Sequence, residues 1–288
     1  MNRRVLVLAA AAMAACSPFQ GGDRPSAPLR DFTAVRPHGT EPLLTIVLDY
    51  AAGRLRVRPA PAGTLYRMDL GYDAERFEPL AAYDAEAAVV KLGVRGVGER
   101  GTRSPPGEVP SQTATIELSP DTELLLQGKL GAADAVLDLS GLRLTELDLS
   151  TGASRSQVLF LQPNPAACRR ARIAAGAAEL IVEGLGNAGC REIIVEGGVG
   201  RATLDFTGAW PVNAQATLKM TIGGVKLVLP RGVGVRLAMD RWLASFSPSG
   251  LERQGNSHVY QTAGFDQSAR RLEIAVSTTL GGVEVDWR

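Results

Sequence analysis

Aromatic residues are scarce in this sequence, at 5%, which argues against an enzyme built around an aromatic-walled pocket. Neither charge sign is in excess: 31 Lys and Arg face 30 Asp and Glu, a formal net charge of +1. A nucleic-acid binder needs a basic stripe to displace phosphate counterions, so that class is set aside. Histidine occurs only at His38 and His258. No transmembrane helix is expected, because a span needs roughly 20 apolar residues. What the chain has instead is 32 glycines among small aliphatic residues. That composition suits short strands and tight turns. Its 288 residues are enough for one large domain or two small ones.

The first residues read as an address. Arg3-Arg4 follow the start, and Val5–Met13 is an unbroken apolar run of nine residues, the length of a signal-peptide core. Met13-Ala14-Ala15-Cys16 resembles the lipobox of bacterial lipoproteins, with Met where Leu is commoner. The resemblance implies removal of residues 1–15 and lipidation of Cys16; an ordinary cleavage site preceding Cys16 is the alternative. Arg3-Arg4 alone do not complete a twin-arginine signal. Ser17 in place of Asp resembles outer-membrane sorting. Residues 16–42 are rich in proline and lack apolar periodicity, and read as a flexible tether containing His38.

Beyond residue 42 the sequence repeats. TGASRSQVLF (Thr151–Phe160), GGVGRATLDF (Gly197–Phe206) and TTLGGVEVDW (Thr278–Trp287) share a small residue at the fourth position. With that residue as zero, apolar residues fall at −7, −5, +2 and +4. Seven stretches fit, centred on Gly53, Ala133, Ser154, Ala178, Gly200, Gly223 and Gly281. Only Gly128 and Ser156 break the rule among 28 slots, where a 45% apolar composition gives roughly 13 by chance. From Ala133 to Gly223 the centres are 21–24 residues apart.

Period-two alternation on both sides of a small residue means strand, bend, strand, with one face buried. A unit of this size cannot bury its own apolar face, so units must stack. The expected fold is all-β, a parallel β-solenoid (β-helix or β-roll-like) of about 22-residue rungs over residues 43–288. A β-sandwich also has closely spaced strands, but it does not produce a constant register. The repeat weakens over 59–120 and 231–271, where degenerate rungs and longer excursions are expected. Trp242, Phe246 and Tyr260 mark the second as a side-packing segment or cap.

GAAELIVEGLGNAGCREIIVEGGVGRATLDFTG (Gly176–Gly208) and GGVEVDW (Gly281–Trp287) resemble the toastrack-type domains. These are β-solenoid modules of LiaF-like, cell-wall-active-antibiotics-response proteins and of adhesin-like proteins. The resemblance covers residues 43–288 and is clearest over 124–230. It implies an envelope-facing sensor, scaffold or adhesin-like module with no catalytic set, and no cofactor or metal. The expected partners are a membrane, through the lipid anchor, and envelope proteins or wall polymer. The chain departs from the LiaF-like pattern in having no transmembrane helices.

An enzyme reading needs chemistry on this frame. The outward +5 slot carries Asp138, Glu183, Asp205 and Asp286. Glu183 and Asp205 fall on consecutive rungs, about 5 Å apart in backbone, as a retaining glycosidase or a Ca²⁺ site would use them. That gives the alternative function: an extracytoplasmic carbohydrate-active enzyme. Against it, +5 should face solvent, where carboxylates are common, and Leu159 and Val228 interrupt the row. His258 lies in a turn without a Gly-x-Ser-x-Gly elbow. The doublets Gly197-Gly198, Gly223-Gly224 and Gly281-Gly282 recur in phase with the repeat, as bends rather than phosphate loops. Trp210, Trp242, Tyr260 and Trp287 are the aromatic candidates for sugar contact, with Trp287 in the core phase.

Cys168 and Cys190 both sit ten residues before a centre. Stacking places them on neighbouring rungs at about 4.8 Å, inside disulfide range. In an oxidising compartment they are expected to pair; two buried free thiols are the alternative.

Overall fold

The computed structural model describes residues 29–98, 111–153 and 155–288. Long strands dominate: β2 (Leu43–Pro59), β7 (Glu123–Asp138), β10 (Cys168–Glu183), β11 (Cys190–Asp205), β12 (Ala214–Leu229) and β16 (Arg271–Trp287). The pair β8 (Arg143–Thr151) and β9 (Arg155–Leu159) makes one further rung. Neighbouring rungs run parallel, and the small residues stack on one another. Gly53 faces Ala133, Ala178 faces Gly200, Gly200 faces Gly223, and Gly223 faces Gly281. Residue 154 lies outside the described residues, yet Arg155 pairs with Asp134 and Glu179, which keeps the same register.

Every inward slot of the repeat is buried. The two exceptions to the apolar rule are buried as well: Ser156 is 0% exposed, and Gly128 leaves room for Leu149. A Cβ at 128 would press on Leu149 Cδ1, which the register sets directly beside it. Both halves of each strand feed one hydrophobic core. Each rung is therefore two arms joined at a bend. At the bend the backbones touch: a Cβ on Gly223 would collide with the Gly200 carbonyl oxygen, and Gly223 has φ 137°. Glycine suits both demands.

The weak stretches of the repeat close the two ends of the stack. At the N-terminal end, β5 (Val89–Gly96) extends the first arm of β2, and β6 (Thr113–Leu118) the second. Together they form one split rung. β4 (Phe77–Asp84) then pairs antiparallel with β5, and β3 (Thr64–Tyr72) with β6. At the C-terminal end, β13 (Gly234–Ser247) lies outside β16, although it precedes it in the chain. The final repeat is thus inserted between β12 and β13. β15 (Val259–Gln261) and β14 (Glu252–Arg253) cover the first arm of β13.

Two expectations are corrected. Residues 30–37, assigned to the tether, form β1 (Arg30–Pro37), an edge strand antiparallel to β3. Phe32 and Ala34 pack against the core from this strand, a period-two signal too short to stand out beside the surrounding prolines. Asp205, expected to face solvent, is 7% exposed. It ends β11, where its Oδ1 accepts the Thr207 N–H at 2.7 Å and its Oδ2 lies 3.3 Å from Arg288.

Candidate functional site

The two cysteines of the folded part open adjacent strands. Cys168 begins β10 and Cys190 begins β11, and the register sets them opposite each other. Their Cα atoms are 4.3 Å apart, and the sulfurs are bonded. Both are 3% exposed. A bridge so buried ties two rungs together and offers no thiol for chemistry. Cys16, the expected lipidation site, and residues 1–15 lie outside the described residues.

Glu183 and Asp205 do not converge on a shared partner. Glu183 accepts a hydrogen bond from Gln157 Nε2 at 3.1 Å, while Asp205 is held by Thr207 and Arg288. Asp286 pairs with Lys226 at 2.6 Å, and Asp138 accepts the Ser140 N–H at 3.1 Å. Lys226 has its pKa raised by the hydrogen bond to Asp286. The +5 carboxylates thus end strands and tie rungs. Among the described residues, no group of three or more His, Cys, Asp or Glu side chains is placed to hold a metal ion.

The histidines and aromatic candidates are dispersed. His258 is exposed in a turn, and its carbonyl accepts the Met239 N–H. His38 Nε2 meets Thr122 Oγ1 at 2.8 Å. Trp210 is buried and donates to the Phe206 carbonyl, so it offers no platform. Tyr260 is also buried, edge-on to Phe246 with centroids 5.0 Å apart. Trp287, expected in the core, is half-buried because its Nε1 reaches the Ser249 carbonyl at 2.7 Å.

Outward side chains of the first arm form an ionic ladder across rungs. Glu146 is paired with Arg169 and Arg170. Arg172 bridges Asp148 at 3.2 Å and Glu196 at 2.7 Å. The Glu146 carboxylate raises the Arg170 pKa, and Glu196 raises that of Arg172. Charges spaced by the rung distance neutralise each other here, leaving a mixed-sign surface.

Sequence reasoning missed one feature. At the slot just before the bend, Val199, Ile222 and Leu280 are 53%, 43% and 46% exposed. They lie on successive rungs in direct register, preceded by the exposed Ala177. The signal was present, since this slot grows from Ala177 to Val, Ile and Leu, but it falls outside the buried phase. Beside it, Gly224 and Gly282 floor an open depression of about 680 Å³ rimmed by Arg201, Lys226, Ser245 and Ser247.

Comparison with known proteins gives a match at each half. Residues 33–183 match the family model described as the N-terminal domain of toast_rack. Residues 189–285 match the model described as cell wall-active antibiotics response LiaF, C-terminal. A crystal structure of a candidate cell adhesion protein from Clostridium sporogenes is similar at 15% identity and TM-score 0.50, covering 90% of this chain and 100% of that one. A candidate adhesin from Bacteroides fragilis is matched at 10% identity and TM-score 0.38, over 89% of this chain and 97% of that one. No curated protein matches the sequence. The first of these structures shares the parallel, solenoid-like fold.

Proposed function

We propose, on the premise that the chain belongs to the toast_rack family through residues 33–183, that it is a non-catalytic module of the bacterial cell envelope. Its task is to bind another envelope component, in a scaffold, adhesin-like or stress-sensing role. The observation that carries this reading is the exposed aliphatic row Val199–Ile222–Leu280 on a solenoid whose interior is filled with side chains. A contiguous apolar row on a charged surface marks a contact face. The match of residues 189–285 to the LiaF C-terminal domain supports the envelope setting. So does the signal-like start ending in Ala-Ala-Cys16.

A solenoid held by a lipid on Cys16 would present its flank to proteins or wall polymer near the membrane. The mixed-sign ladder of the first arm gives no net attraction to polyanions, which leaves the aliphatic row as the contact face. Site-specific photo-crosslinking in intact cells tests this. A photoreactive residue at Ile222 is expected to give a discrete adduct with an envelope component, lost when Val199→Glu and Leu280→Glu are added. The same probe at the exposed Asp286 is the control. Equal labelling from both positions, or none from Ile222, would overturn the reading.

A further inference from the structure

We propose that the uncovered half of β13, residues 243–247, is a self-pairing edge through which two copies of this chain join antiparallel into a two-fold dimer. The stack has an edge at each end. At the N-terminal end the edges are β1 and β4. The first contains Arg30, Asp31, Arg36 and Pro37, and the second contains Glu78, Pro79 and Asp84. Charge and proline are the devices that stop an open edge from recruiting another strand.

At the C-terminal end the chain covers only part of its edge. β15 pairs with β13 at Arg236–Ala238, and the His258 carbonyl just ahead of it reaches the Met239 N–H. The charged Asp240 and Arg241 follow before the second arm begins. Residues 243–247 pair with β16 on their inner side alone, among the described residues. This segment reads Leu243-Ala244-Ser245-Phe246-Ser247, with neither charge nor proline. Its outer backbone N–H and C=O groups are therefore an unblocked template for another strand.

The choice of a second copy follows from charge and from symmetry. An uncharged edge meets its own copy without like-charge repulsion, whereas β1 and β4 would bring charged side chains against it. A two-fold axis sets identical strands antiparallel, the stronger ladder, and closes the assembly at two. The approach is clear of bulky groups at its centre: Ser245 is exposed, and the outward positions in register with it on β16 and β12 are Gly282 and Gly224, while Ser247 lies in register with Glu284. Pairing centred on Ser245 sets Ser245 against Ser245 and Leu243 against Ser247. The aliphatic row ends at this edge, because Leu280 is in register with Leu243. The dimer would join two such rows end to end.

The test uses the full chain carrying Cys16→Ser, so that the introduced thiol is the reactive one beside the Cys168–Cys190 bridge. Mild oxidation of Ser245→Cys is expected to give a species of twice the chain mass on a non-reducing gel. Thr33→Cys on β1, treated alike, is expected to stay monomeric. Adding Ser247→Pro to Ser245→Cys should cut the cross-linked fraction at least about tenfold, because proline on an edge strand blocks pairing with another strand. A Ser245→Cys protein that remains monomeric overturns the proposal. So does a link that forms only between Thr33→Cys and Ser245→Cys chains, because that is head-to-tail assembly.

Discussion

Leu204 and Thr203 stand side by side on β11, and the pleat sends one into the core and the other outward. Leu204 is 1% exposed. Leu204→Ala should cost about 2–5 kcal/mol, as buried leucine truncations do, and Thr203→Ala much less. Urea denaturation of the two variants measures the difference, and equal effects would place the register off by one. Cys190→Ser removes a 22-residue cross-link, worth roughly 3 kcal/mol in the chain-entropy model. Non-reducing peptide mapping of the native protein should recover Cys168 linked to Cys190. Two freely alkylatable thiols would contradict that pairing. Glu41 sits where the chain leaves β1. Its own backbone N–H and the Tyr83 hydroxyl, at 2.8 Å, lower its pKa. A lowered carboxylate stabilises the fold at pH above its unfolded value, and that contribution fades as pH falls through its folded value. Glu41→Gln should therefore flatten the acid side of the stability profile.

A rung depends on its bend. Gly223 and Gly224 are neighbours in sequence with opposite surroundings. A Cβ at 223 would strike the Gly200 carbonyl, whereas one at 224 would meet nothing within 4 Å. Gly223 also holds a φ of 137°, which other residues rarely adopt. Gly223→Ala should cost about 2–4 kcal/mol, combining backbone strain with overpacking. Gly224→Ala should stay within about 0.5 kcal/mol. Thermal melts of the two variants separate an essential bend glycine from one that only floors the surface depression. The rungs themselves were legible in the sequence, because burial on one face forces alternation and stacking forces a constant bend position. Gly53, Ala133, Gly200, Gly223 and Gly281 were found that way, and the register joins them. The ends were not legible. β1, β3 and β4 pair antiparallel, carry no bend residue and so share nothing with the template.

Across the whole molecule, what sequence could not give is order. The placement of β16 between β12 and β13 rests on Gly281 facing Gly223 across an insertion that carries no repeat. The exposed aliphatic row was equally hidden, since it becomes a row only after rungs separated by 22–58 residues are stacked. The chain that results is a stack of rungs, which the proposed function places at the envelope surface through a lipid on Cys16. That account stands or falls on where the chain resides. Fractionating cells that express the full chain or its Cys16→Ser variant is the direct measurement. The chain should be found in the membrane fraction and be released by detergent, with the variant soluble outside the inner membrane; membrane association unchanged by Cys16→Ser would contradict the account.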